Sequence, residues 1–252
     1  MKLKLNWVPN ALSLGNLTFG FISILVSAGA VKTGAENSKL FFLSGVFIIL
    51  AAIFDGFDGM VARALNATSE LGAELDTLAD LTTFGVAPGF LMYKMVLEKY
   101  QLDFLNTGNL FPIGMLIAAL FPICAAYRLA RFTVAHDPSS FTGLPSPVAG
   151  VIVGLFPIAF PNNYILDLVT ISGFVIVALL MVSTIRYSKP QVTMRGRFSQ
   201  GKVFIMLGGI VAIFVSCAIF APNLLPYLFY GIIIFYVFSG VISLIIQIIQ
   251  EF

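Results

Sequence analysis

Eight apolar runs, most of them near twenty residues long, decide what this chain can fold into. About twenty apolar residues in a helix cross the hydrocarbon core of a bilayer, and such runs lie near 14–32, 40–64, 72–97, 109–133, 144–161, 164–186, 202–220 and 223–250. Only 10% of the residues are charged, against roughly 25% in an ordinary soluble domain, so too little polar surface remains to face water. The expected fold is all-α, a polytopic membrane helix bundle with about eight transmembrane helices, forming a single domain over residues 1–252. None of the polar connections is long enough for a separate soluble domain, and no internal repeat interrupts the pattern.

The few charges say more about orientation than about partners. A net charge of +2 is too small to suggest nucleic acid. Lys2, Lys4, Arg63, Arg128, Arg131, Arg186, Lys189, Arg195, Arg197 and Lys202 fall at one set of helix ends, and only Lys32, Lys39, Lys94 and Lys99 at the other. The positive-inside rule then places both termini, and the loops at Arg63, Arg131 and Lys189, in the cytoplasm. Ala28-Gly29-Ala30 resembles a signal-peptidase site, but Pro9, Asn10, Asn16 and Thr18 break the preceding apolar stretch, which reads better as a retained first helix. Cys124 and Cys217 sit inside apolar runs and read as packing residues.

Four aspartates depart from the membrane pattern. Asp55 and Asp58 lie three residues apart beside Ile49-Leu50-Ala51-Ala52-Ile53-Phe54, and Asp76 and Asp80 lie four apart beyond a polar turn around Asn66–Glu70. Each pair points from one face of its helix. Asp55 and Asp80 are about equally far from the turn, as are Asp58 and Asp76, so an antiparallel hairpin rising about 1.5 Å per residue would bring all four to one depth. An ion-pair network does not explain them, because Arg63 is the only cation nearby in sequence. Clustered carboxylates need a counter-charge, and their hard oxygens suit Mg²⁺ or Mn²⁺; two such ions would balance the cluster. Small residues beside the acids, Gly56, Gly59, Ala62, Gly72 and Ala73, leave room for close helix packing or for a ligand.

Asp55-Gly56-Phe57-Asp58-Gly59-Met60-Val61-Ala62-Arg63, followed by Gly72, Asp76 and Asp80, fills every fixed position of the D-x2-D-G-x2-A-R-x8-G-x3-D-x3-D signature. The chain therefore resembles the CDP-alcohol phosphatidyltransferases. The resemblance implies a helical membrane enzyme, usually a homodimer, that transfers a phosphatidyl group from CDP-diacylglycerol to a small alcohol at a dinuclear metal site facing the cytosol. It implies that Asp55, Asp58, Asp76 and Asp80 hold the two cations and that Asp80 is also the general base. It further implies that Asn10, Ser13, Asp55, Asp58, Gly59, Ala62, Arg63, Thr68 and Gly72 hold CDP-diacylglycerol.

Within that family the chain is similar to the membrane-embedded phosphatidylserine synthases, which would make L-serine the acceptor. The likeness runs through Pro9-Asn10 with Ser13 and Asn16, Asn66-Ala67-Thr68-Ser69-Glu70, Phe84-Gly85-Val86-Ala87-Pro88, Arg128-Leu129-Ala130-Arg131-Phe132 and Phe141-Thr142-Gly143-Leu144-Pro145-Ser146-Pro147. Serine carries a carboxylate, for which Arg128 and Arg131 are the first candidates; Arg186 and Lys189 are a second pair, for the carboxylate or the lipid phosphate. The bland alternative is that these cations snorkel or set topology. Arg195, Arg197 and Lys202 suit anionic lipid headgroups, and His136 stands in a polar loop where no role is needed. Other acceptors, glycerol 3-phosphate or an inositol phosphate, and an archaeal ether-lipid donor stay open. A divalent-cation transporter would also use buried acids, but it leaves Gly59, Ala62 and Arg63 unexplained.

Overall fold

The computed structural model describes residues 7–30, 37–65, 67–103, 110–134, 140–161, 167–188 and 224–250. These residues are helical apart from loops and two short antiparallel pairings. The helices are α1 (Trp7–Ala28), α2 (Asn37–Ala64), α3 (Glu70–Leu81), α4 (Ala87–Met95), α5 (Ile113–Val134), α6 (Ser146–Ala159), α7 (Asp167–Val182) and α8 (Leu225–Gln250). Strand β1 (Leu102–Asp103) pairs with β2 (Leu110–Phe111), and β3 (Ser140–Thr142) with β4 (Arg186–Ser188). The apolar run at 202–220, Cys217, His136 and the cations Lys2, Lys4, Lys32, Lys189, Arg195, Arg197 and Lys202 lie outside the described residues.

Among the described residues three helices, α1, α2 and α5, are long and apolar enough to cross a membrane. At 22, 28 and 22 residues they measure about 33, 42 and 33 Å at 1.5 Å per residue. Large apolar side chains such as Phe21, Leu25, Leu116, Ile123 and Phe235 face outward, as expected of a protein whose solvent is lipid. The expected spans near 144–161 and 164–186 are shorter as helices. Pro147 starts α6, which ends before Phe160-Pro161; α7 stops at Val182 because the residues that follow are drawn into the pairing with β3.

The expected span near 72–97 is α3, a five-residue π-helical segment Thr82–Val86, and α4. The cause is Pro88, which has no N–H for the helical ladder. Just before it the register widens, and the Ala87 N–H bonds to the Thr82 carbonyl. The widened turn is gripped on three sides through glycines. An added Cβ at Gly20 on α1 would collide with Thr83, one at Gly150 on α6 would lie 2.9 Å from Phe84, and one at Gly85 itself would lie 3.0 Å from Ala125 on α5. Pro122 inside α5 leaves the Ala118 carbonyl without its helical donor, and Gly89 on α4 faces that carbonyl.

The main apolar core lies among α4, α5, α6 and α7, with Phe121 stacked on Phe174 at 4.9 Å between ring centroids. A smaller one joins Ile48, Phe84, Ala87 and Leu91. Cys124 is buried in the main core as a free thiol, in line with a packing role. At the ends opposite the acids, Lys94 pairs with Glu98 at 2.9 Å, and Lys99 pairs with Asp167, which also accepts from the Tyr100 hydroxyl.

Candidate active site

The acids meet across a wedge. The two helices that carry them, α2 and α3, make little direct backbone contact, because α1 packs along both. Ser69 caps α3 by accepting from the Gly72 N–H at 3.0 Å, which fixes where the helix begins. From there Asp76 and Asp80 point toward α2. One oxygen each from Asp55, Asp76 and Asp80 lie within 4.8 Å of one another. Asp58 reaches Asp76 but stands outside that trio, and its Oδ2 accepts from the Ser13 hydroxyl at 2.8 Å. The pairs expected at equal depth, Asp55 with Asp80 and Asp58 with Asp76, are therefore neighbours.

The residues fit a divalent cation. Asp58 and Asp80 are buried, and no Lys or Arg forms an ion pair with any of the four acids among the described residues. Asp76 Oδ1 is buried without a hydrogen-bond partner, so the cluster holds an acceptor that no protein donor satisfies. Hard carboxylate oxygens converging from two helices, with one left over, are the donor set that a hard cation requires.

Beside the acids lies a cavity of ≈ 320 Å³ lined by residues of α1, α2, α3 and the turn between α2 and α3. Of the expected CDP-diacylglycerol set, Asn10 and Ser13 from α1, Asp58, Gly59, Ala62 and Arg63 from α2, and Thr68 and Gly72 around the turn all line it. Asp55 does not, and stays with the deeper trio. The glycines do different work. An added Cβ at Gly56 meets nothing within 4 Å, and one at Gly59 meets only the Arg63 guanidinium at 3.5 Å, so both leave space instead of packing a helix. At Gly72 a Cβ would lie 3.0 Å from Asn10 Oδ1, so there the missing side chain lets α1 approach. Arg63 is exposed beside the cavity.

Arg128 and Arg131 occupy different surroundings. Arg128 is buried, donates to the Ser146 hydroxyl at 2.6 Å, and lies close enough to Asp80 and Asp55 to feel their charge. Arg131 turns away from the acids and donates to the backbone carbonyls of Thr142 at 2.6 Å, Ser183 at 3.1 Å and Val182 at 3.2 Å. It thereby ties the end of α7 to the loop before α6. Gly143 allows that junction, with φ of 81° and its N–H on the Ile185 carbonyl at 2.8 Å. The Arg186 backbone lies in β4, opposite Thr142, and Lys189 lies outside the described residues.

Contacts from α1 and α6 were not legible in the motif spacing. Asn16 donates through Nδ2 to Asp80 Oδ1 at 3.3 Å, and Ser146 receives Arg128. A signal for the first was present. The buried residues of α1 are Pro9, Ser13, Asn16, Gly20, Ser23 and Ser27, a run of small and polar residues spaced alternately four and three apart, which marks the packed face of a membrane helix.

Fold and site together define an integral membrane protein with a carboxylate cluster suited to a divalent cation next to a cavity lined by small and polar residues. The CDP-alcohol phosphatidyltransferase model matches residues 6–186, and the chain belongs to that family. It is 34% identical over 235 residues to a CDP-diacylglycerol–serine O-phosphatidyltransferase of Helicobacter pylori, covering 90% of this chain and 88% of the relative. The enzyme of the same name from Bacillus subtilis is 35% identical, covering 73% of this chain and 90% of the relative. An archaetidylserine synthase of Methanothermobacter thermautotrophicus is 31% identical over 72% of this chain and 70% of its own length.

Proposed function

We propose that this protein transfers a phosphatidyl group from CDP-diacylglycerol to L-serine, giving phosphatidylserine and CMP in phospholipid synthesis. The observation that carries the reading is the trio Asp55, Asp76 and Asp80, without an ion pair among the described residues, beside a cavity lined by Asn10, Ser13, Gly59, Ala62, Arg63, Thr68 and Gly72. In this reading Asp55, Asp58, Asp76 and Asp80 hold two divalent cations, Mg²⁺ or Mn²⁺, whose positive charge offsets that of the diphosphate. The cavity residues hold the cytidine nucleotide, with Arg63 near its phosphates. The serine hydroxyl oxygen bonds to the phosphorus that carries diacylglycerol, the bond from that phosphorus to the oxygen shared with CMP breaks, and CMP leaves with the electron pair. Asp80 takes the hydroxyl proton.

Arg128 is the group we assign to the serine carboxylate, because it is buried and faces Asp80. Arg131 supports the wall behind it, and Arg186 with Lys189 remains the second pair, for the carboxylate or the lipid phosphate. The whole chain forms one domain and, on the family resemblance, a homodimer. The distribution of Lys and Arg supports a cytosolic active site with both termini on that side.

The test is release of CMP by the purified protein in detergent micelles with CDP-diacylglycerol, L-serine and Mg²⁺ or Mn²⁺. Release that follows glycerol 3-phosphate or an inositol phosphate, and not serine, would overturn the acceptor. The likeness to an archaetidylserine synthase favours one second reading, an ether-lipid donor with the same acceptor, and parallel assays with CDP-activated ether and ester lipids separate the two.

A further inference from the structure

One buried amide oxygen points beyond the ligand set. Asn16 is 0% exposed, midway along α1, and its Oδ1 has no hydrogen-bond partner. Leaving a buried acceptor unpaired is destabilising, and an apolar side chain of the same size would fill the position without that cost. The opposite edge of the amide explains why asparagine is there: Nδ2 donates to Asp80 Oδ1. Turning the amide over would set its oxygen against a carboxylate oxygen, so Asp80 dictates the orientation that strands Oδ1.

The rest of α1 holds that amide at one depth. The hydroxyl of Thr83, three residues beyond Asp80, donates to the Asn16 backbone carbonyl at 3.1 Å, so the π-helical segment is pinned to the turn that carries Asn16. Gly20, one turn further, is where Thr83 fits against the helix. Asp55 and Arg128 approach Asp80 from α2 and α5, whereas Asn16 comes from α1 as a neutral donor.

We propose that Asn16 is a positioning residue for the transfer. Its amide N–H holds one oxygen of the Asp80 carboxylate, so that the other oxygen meets the acceptor hydroxyl at a fixed angle and accepts its proton as the new P–O bond forms. The proposal rests on the reading of Asp80 given above. It separates catalysis from stability, since the stranded oxygen weakens the fold while the N–H speeds the reaction.

The experiment compares the full-length protein in detergent micelles with Asn16→Leu, Asn16→Asp and Asp80→Asn. For each, kcat, KM for both substrates, Mn²⁺ binding by calorimetry and the thermal unfolding midpoint are measured. Asn16→Leu should lose about 10–100-fold in kcat, the range by which activity falls when a hydrogen-bond partner of a metal-ligating side chain is removed. Its KM values and Mn²⁺ affinity should not change, and its unfolding midpoint should stay level or rise. Asn16→Asp keeps the shape but presents an acceptor to Asp80, so it should lose kcat as well; it carries the test should the leucine variant fail to fold. Undiminished kcat in a folded Asn16 variant would overturn the proposal, as would a loss in Asn16→Leu matched by weaker Mn²⁺ binding or a lowered midpoint. If Asp80→Asn itself keeps its turnover, the assignment of Asp80 is what has failed.

Discussion

Arg128 and Arg131 stand one turn apart on the same face of α5, and sequence alone gives them the same standing. Their surroundings separate them, so substitution by lysine should too. Arg128→Lys keeps the charge near Asp80 and loses the planar fork that can meet a carboxylate with two hydrogen bonds. It should raise KM for serine more than KM for CDP-diacylglycerol in steady-state assays that vary each substrate. A serine constant unmoved by Arg128→Lys would shift the search to Arg186 and Lys189. Arg131→Lys should leave the serine constant alone and lower thermal stability instead. The ammonium is a single point of charge, whereas the two guanidinium nitrogens divide the carbonyls, one donating to Val182 and the other to Thr142 and Ser183, so part of this tie is lost, at about 1 kcal/mol per hydrogen bond. The acids divide as well. Asp58 is the one oriented by a neighbouring hydroxyl, so Ser13→Ala should reduce activity by roughly 10-fold or more, as loss of a supporting hydrogen bond commonly does. Asp58→Asn should abolish it. Equal, small effects of both substitutions would place Asp58 outside the metal site.

At the scale of elements, α1 is built the reverse of a soluble helix. Its packed face is Pro9, Ser13, Asn16, Gly20, Ser23 and Ser27, while Trp7, Leu14, Phe21 and Leu25 face outward. In lipid, apolar side chains gain nothing by facing inward, whereas small and hydrogen-bonding ones let backbones meet. Ser23 and Ser27 both meet the Ser44 hydroxyl of α2 at 2.7 Å, which fastens the end of the helix pair away from the acids. At the other end the Ser13 hydroxyl meets Asp58 beside the cavity. Gly20 and Gly150 then clamp the π-helical segment, and Gly20→Val or Gly150→Val should destabilise the fold by about 1–3 kcal/mol, the usual cost of overfilling a packed site. Because Asp80 lies two residues before that segment, activity should fall further than stability requires; a variant with full turnover at a lowered unfolding midpoint would show that the clamp does not serve Asp80. How far these features could be read in advance depended on range. The apolar runs and the acid spacing are local, so α2, α3 and the convergence of four aspartates were legible. The insertion of α1 along both helices of the hairpin was not legible. That insertion depends on contacts between residues more than forty positions apart, Ser13 with Asp58 and Asn16 with Asp80. The run near 72–97 reads as one span, and the π turn ahead of Pro88 depends on Gly20 and Gly150 of two other helices and on Gly85 within the segment itself.

For the whole molecule, the length of α2 sets where the chemistry occurs. About twenty of its 28 residues suffice to cross a hydrocarbon core of roughly 30 Å. If the Asn37 end lies at one boundary of the core, Asp55 and Asp58 lie at the other, where a lipid phosphate and a water-soluble acceptor can both arrive. Folding and metal binding should then be linked. The oxygens of Asp55, Asp76 and Asp80 are brought together only by the packed bundle, so a cation binds the folded chain far better than the unfolded one. A ligand present at a hundred times its dissociation constant stabilises by about 2.7 kcal/mol. Added Mg²⁺ or Mn²⁺ should therefore raise the thermal unfolding midpoint of the detergent-solubilised protein. Excess chelator should remove both the shift and the activity, and readdition of the cation should restore both. Asp76→Asn, which takes away one charge from the trio, should lose most of the shift. The comparison must be made at constant ionic strength with Na⁺ as the control, because screening alone relieves some repulsion among clustered carboxylates. A midpoint that responds equally to Na⁺ and Mg²⁺ at matched ionic strength, with turnover that survives chelation, would mean that the four acids hold no resident cation, and the two-metal reading of the site would have to be abandoned.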